Sequence, residues 1–151
     1  MKILLLRMLG NDLPGIHGEE QTYNNLKFTL ENEPVMQDTD KGYILNRIVD
    51  DKARERLKKL LSKHNVAVWE IPFELESYHK LPKVEVEELK TIIRLCGKHE
   101  VNVSGLIDKI QKLTHLHNLY IVNNNGCRNK CLELGEEGEY DWCLPFDSNS
   151  Y

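Results

Sequence analysis

Four groups of polar residues stand where apolar runs give way to loops. Arg7, Asn11 and Asp12 follow the first run, and Asp50 and Asp51 follow the second. Asn124, Asn125 and Arg128 open a late helix, and Asp147 and Asn149 close the last strand. Carboxylates in such places accept hydrogen bonds from a base or ribose, or hold a divalent ion on oxygen ligands. A helix start preceded by Asn-Asn-Gly offers backbone N–H groups to phosphate. An arginine in that first turn pairs with a diphosphate through parallel N–H···O bonds. Together these types describe a site for a nucleoside diphosphate. Other chemistries lack their residues. No GxGxxG follows the first strand, and neither GxxxxGK[ST] nor GxSxG occurs.

Each candidate also has a plain structural reading. Asp50 and Asp51 suit a helix N-cap and first turn. Arg128 suits a solvated helix face, and Asp147 suits a turn. Arg7 sits inside an apolar strand, where a charge needs a partner. That partner is a ligand, or a carboxylate such as Asp50 or Asp147. His17 lies in a loop, where a histidine is more often neither catalytic nor substrate-binding.

The cysteines, Cys96, Cys127, Cys131 and Cys143, form no CxxC pair. Cys127 and Cys131 share one helix face, and zinc would need two more convergent ligands. His115 and His117, read as strand residues, share one face. All are taken as structural groups.

These residues must be positioned by regular elements. The spacing predicts strands at Lys2–Met8, Tyr43–Val49, Val66–Ile71, Leu119–Val122 and Tyr140–Phe146. Helices are predicted at Glu20–Glu33, where Pro34 stops the chain, and at about Lys52–His64. Further helices are predicted at Val86–Cys96, at Ser104–Leu113 and at about Cys127–Glu136, with loops over 74–84 and Asn123–Gly126. Trp69 and Trp142 are expected in the core. Alternating strands and helices argue for an α/β fold, with a Rossmann-like, mainly parallel sheet and helices on both faces in three layers. In such sheets ligands bind beyond the carboxyl ends of the strands, which gathers the four polar groups.

The chain has 151 residues, of which 20 are Lys or Arg and 24 are Asp or Glu, for a net charge of −4. That length suits a single domain. The acidic balance gives no global attraction to nucleic acid. The basic run Lys52–Lys63 reads as a solvated helix face. No apolar stretch approaches the ~18 residues of a membrane span. Arg7 cuts the N-terminal apolar run short of a signal sequence, so a cytoplasmic protein is expected.

The arrangement resembles family 2 glycosyltransferases of the GT-A, nucleotide-sugar-binding fold. Asp50-Asp51 before a helix looks like that family's base-recognising strand end. Asn125-Gly126-Cys127-Arg128-Asn129-Lys130-Cys131-Leu132 looks like its Gly-x-x-Arg-Asn-x-x-Leu helix start beside the diphosphate. Tyr140 through Asn149 looks like the strand that ends in its DxD motif. Gly10-Asn11-Asp12-Leu13-Pro14 looks like the opening of bacterial and viral proteins of this broad type.

The resemblance implies a nucleotide-diphosphate sugar as donor and a glycan or other hydroxyl as acceptor. Arg7, Asn11, Asp12, Asp50, Asp51, Asn125, Arg128, Asp147 and Asn149 would bind the donor. Asp147 and Asn149 would hold Mn²⁺ or Mg²⁺, weakened because Asn149 stands where the motif usually has a second Asp. Family members continue beyond this motif into an acceptor half. The expectation is therefore a donor-binding half without it. The alternative is a catalytically inactive module acting through protein contacts, with a homo-oligomer or a partner covering an exposed sheet edge.

Overall fold

A computed structural model of the chain describes residues 1–12, 17–82, 87, 90–91, 94 and 103–147. The first apolar run forms β1 (Ile3–Leu9), with every residue after Ile3 buried. An unbroken apolar run suits a strand covered on both faces. β2 (Thr39–Asn46), β3 (Ala67–Ile71) and β4 (Trp142–Asp147) complete one sheet in the order β3-β2-β1-β4. Every pairing is parallel, and Leu6 of β1 lies between Gly42 and Pro145.

The labelled helices are α1 (Gln21–Asn32), α2 (Asp51–Lys63), α3 (Leu75–His79), α4 (Val103–Val122) and α5 (Asn124–Glu137). α1 and α2 cover one face of the sheet: Leu26, Leu57, Leu60 and Leu61 pack on Leu9, Tyr43 and Leu45. α5 covers the other face, setting Cys127, Cys131 and Leu134 against Leu4, Leu6, Met8 and Ile44. The alternation of β1 divides its leucines between the two cores. The expected α/β class with a parallel sheet and helices on both faces is what the chain adopts.

Local chemistry sets the helix ends. The Asp50 side chain caps α2, as its position before the helix implied. Glu33 ends α1 in an extended conformation ahead of Pro34.

Other expectations change. Leu119–Val122 is the end of α4, not a strand. Nothing in Thr114–Asn118 breaks a helix, and Thr114 Oγ1 donates to the Ile110 carbonyl one turn back. His115 and His117 are therefore helical, two residues apart, and point to different sides. The loop predicted over 74–84 contains α3. Most of the loop predicted at Asn123–Gly126 is the first turn of α5. β2 stops at Asn46 because Arg47 turns left-handed, with φ +47°. Trp142 is 61% exposed, on the edge strand of the sheet, rather than in the core. Glu87, Lys90, Thr91 and Arg94 are helical, but most of the helix predicted at Val86–Cys96, including Cys96, lies outside the described residues.

The chain divides into two compact units. One comprises Met1–Phe73 with Ile121–Tyr151, and the other is Glu74–Tyr120. In the second, Tyr120 and the Glu74 backbone exchange hydrogen bonds, and Tyr78 makes edge contacts with His117 and Tyr120. Among the described residues no helix is long and apolar enough to cross a membrane.

Candidate functional site

The sheet runs from β1 to β2 and β3 on one side, and β4 returns on the other. The crevice beyond the carboxyl ends of β1 and β4 is thus the topological switch point, where such sheets bind ligands. A cavity of about 270 Å³ lies there, lined by Met8, Asn46, Asn124 and Asp147 with His17 and Val122 among others. A larger cavity of about 680 Å³ lies beyond β1 and β2, lined by Tyr23, Ile48, Asp50 and Arg56 among others. The two share Gly10, Asn11, Thr22 and Ile121, so they adjoin.

Four candidate residues line the two cavities, Asn11, Asp12, Asp50 and Asp147, and the first three also brace the backbone. Asn11 donates from Nδ2 to the Arg47 carbonyl and accepts at Oδ1 from the Val49 N–H, both at 2.8 Å. It ties the exit of β1 to that of β2. Asp12 accepts at Oδ1 from the N–H and hydroxyl of Thr22, at 2.9 and 2.6 Å. It caps α1 from outside, because Glu20 at the cap position makes no such bond. Asp50 accepts at Oδ1 from the Lys52 N–H at 2.8 Å.

Two more candidates lie elsewhere. Asp51 pairs with Arg54 at 2.9 Å, and its side chain is 82% exposed. Arg7 is buried and does not line either cavity. Its Nη2 meets Glu33 Oε1 at 2.5 Å, and Lys41 reaches the other oxygen of Glu33 at 3.0 Å. Burial alone would raise the Glu33 pKa, but hydrogen bonds from Arg7 and Lys41 outweigh it and hold the carboxyl below its usual range.

Of the remaining described candidates, Asp147 lines the smaller cavity, while Arg128 and Asn125 line neither and stand beside it. Arg128, in the first turns of α5, lies 3.9 Å from Asp147 at the end of β4, and both side chains are about half exposed. Asn125 is exposed three residues before Arg128, on the same side of the helix. The cap residue of α5, Asn123, is left-handed with φ +43° and makes no side-chain cap bond. Its amide instead donates to Asn46 Oδ1 at 3.0 Å, while Asn46 Nδ2 donates to the Val122 carbonyl at 2.8 Å. A Cβ at Gly126 would collide with the Asn123 amide, so glycine admits this arrangement. Asn46, only 3% exposed, is a positioning residue that pattern reading passes over. Its one signal is an amide at the end of the apolar run Tyr43-Ile44-Leu45.

Asn149 lies outside the described residues. Asp147 with a guanidinium 3.9 Å away is not by itself a divalent-ion cage. Among the described residues no group of three His, Cys, Asp or Glu is placed to hold a metal ion. The cysteine thiols behind the site are poor nucleophiles. Burial first, then neighbouring Cys131 and Asp147, push Cys127 up to about 12, and burial and Cys143 push Cys131 up to about 11.

No protein-family model matches the chain, and no curated protein or solved structure matches it.

Proposed function

We propose that this chain binds a nucleoside diphosphate and its sugar conjugate across the two adjoining cavities, as the donor side of a glycosyltransferase. One observation carries the reading. Arg128 and Asp147 come together at the switch point, beside a helix start whose N–H groups have no side-chain cap. A diphosphate there meets the backbone N–H groups and the fork of Arg128. It displaces Asp147 from the guanidinium, and Asp147 then accepts from a ribose hydroxyl. The base and ribose occupy the larger cavity, near Asp50. Charge developing on the leaving diphosphate is stabilised by Arg128 and the helix start. What is proposed is donor binding. Transfer additionally requires a base at the acceptor hydroxyl.

The test is a thermal-shift panel of uridine, guanosine, cytidine, thymidine and adenosine diphosphates with their sugars, each with and without Mn²⁺. Ligand at 100 times its Kd contributes ~2.7 kcal/mol, a shift of several degrees. Arg128→Ala and Asp147→Asn should keep the unliganded Tm, since both side chains are exposed, and lose the shift. No shift with any nucleotide would overturn the reading.

A second reading, a module that acts through protein contacts, is favoured by β4. It is an edge strand carrying Trp142 and Leu144 on an exposed face.

A further inference from the structure

The larger cavity is lined in part by a cluster of one acid, one arginine and one aromatic ring, Glu20, Arg56 and Tyr23. Arg56 of α2 lays its guanidinium over the ring of Tyr23 in α1, 4.5 Å from the centroid. Its two end nitrogens also meet the two carboxylate oxygens of Glu20, Nη1 to Oε1 and Nη2 to Oε2. Glu20 holds that pose from a left-handed backbone, φ +53°. A guanidinium with one face on a ring and its edge in a carboxylate fork is fixed in plane and direction. Half of the Arg56 side chain stays exposed, and the residue lines the cavity.

The rest of the wall is mainly apolar. Ile48, Val49, Ala53 and Leu57 are apolar. Asn11, Asp12 and Asp50 spend polar atoms on bracing the backbone and on helix caps. What the cavity presents is a largely apolar slot of about 680 Å³ lined by two cations, the flat guanidinium of Arg56 and the compact ammonium-bearing Lys52. Such a surface recognises a π-face rather than a pattern of donors and acceptors.

We infer that Arg56 is the base-stacking residue of this cavity. A nucleobase lies on the open face of its guanidinium, completing a Tyr23–Arg56–base stack that Glu20 holds in place. The inference rests on the nucleoside-diphosphate reading of the same site. Stacking tolerates different rings, so Arg56 adds affinity for purine and pyrimidine diphosphates alike and none for an anion without a base. Lysine keeps the charge but has no planar face to stack.

The experiment is calorimetric titration of the full chain and its Arg56→Lys and Arg56→Ala variants with adenosine diphosphate, uridine diphosphate and inorganic pyrophosphate. Both variants should bind either nucleotide about tenfold more weakly or worse, given the usual strength of base stacking, with pyrophosphate unchanged. Their unliganded Tm should stay close to that of the parent chain, since the ion pair is exposed. Three results overturn the inference. One is that Arg56→Lys binds nucleotides as tightly as the parent. Another is that all three ligands weaken equally, which makes Arg56 a general anion contact. The third is that the parent chain binds pyrophosphate no more weakly than the nucleotides, which leaves an anion site without a base pocket. If the parent chain binds none of the three, the donor-site reading falls with it.

Discussion

At the scale of single residues, Arg7 shows what the sequence can and cannot reveal. A charge inside an apolar strand must have a partner, and that much was legible. The partner, Glu33, was not, because it lies at the far end of α1 and only folding brings it to β1. The pair carries a pH dependence. The Glu33 pKa is lower in the folded chain than its ordinary 4.5, so the folded state binds fewer protons there. Its contribution is complete above about pH 4.5 and is lost as pH falls through the folded value. In urea unfolding between pH 3 and 7, an Arg7→Met/Glu33→Leu double variant should lose less stability on acidification than the parent chain. Glu33→Gln alone should cost about 1–3 kcal/mol at pH 7, since it replaces the charged acceptor of a buried guanidinium with a neutral one. An acid limb identical in parent and double variant would show that other carboxylates control it.

At the scale of elements, helices with a strong local signal were the most legible. Asp50 before a leucine-striped basic run announces α2, and the structure starts the helix at Asp51, one residue before the expected Lys52. Glu33-Pro34 announces the end of α1. The segment Leu119–Val122 misleads because a short apolar tetrad fits strand and helix equally, and here the preceding helix runs on through it. The start of α5 is a different case. Its geometry depends on Asn46 and Asn123, separated by 77 residues, so no local pattern announces it. The amides of these two residues join the end of β2 to the bend between α4 and α5. Asn46→Ala removes an acceptor from Asn123 and a donor from the Val122 carbonyl. It should cost about 1–3 kcal/mol in denaturant unfolding, as stranded polar groups do. Combined with Asn123→Ala it should cost less than the sum of the two single changes. The same variant should also weaken nucleoside-diphosphate binding, because it loosens the helix start that bears Arg128. Strict additivity would mean that the two amides do not act together.

At the scale of the whole molecule, α/β alternation and the one-sided placement of polar groups were readable because both follow from chain order. Arg128 and Asp147 lie close together, as chain order suggested, since each stands where its own element meets the crevice beyond the carboxyl ends of β1 and β4. The two-unit division was not readable, because no Pro/Gly-rich linker marks it. Nor was the exposure of Trp142, which depends on which strand lies at the edge. That edge sets the remaining choice between a donor site and a contact module. The Trp142 N–H points to the Lys2 carbonyl, toward β1. Alternation then turns the amides of Cys143, Pro145 and Asp147 outward, and Pro145 has no N–H to offer. The outer row is interrupted at its centre, one of the devices by which edge strands resist pairing. The chain should therefore run as a monomer in size-exclusion chromatography with light scattering. Pro145→Val, which completes the row beside exposed Trp142 and Leu144, should self-associate as concentration rises. A dimer of the parent chain that Trp142→Lys dissolves would favour the contact module. A monomer that binds nucleotide would leave the crevice between β1 and β4 as the working surface.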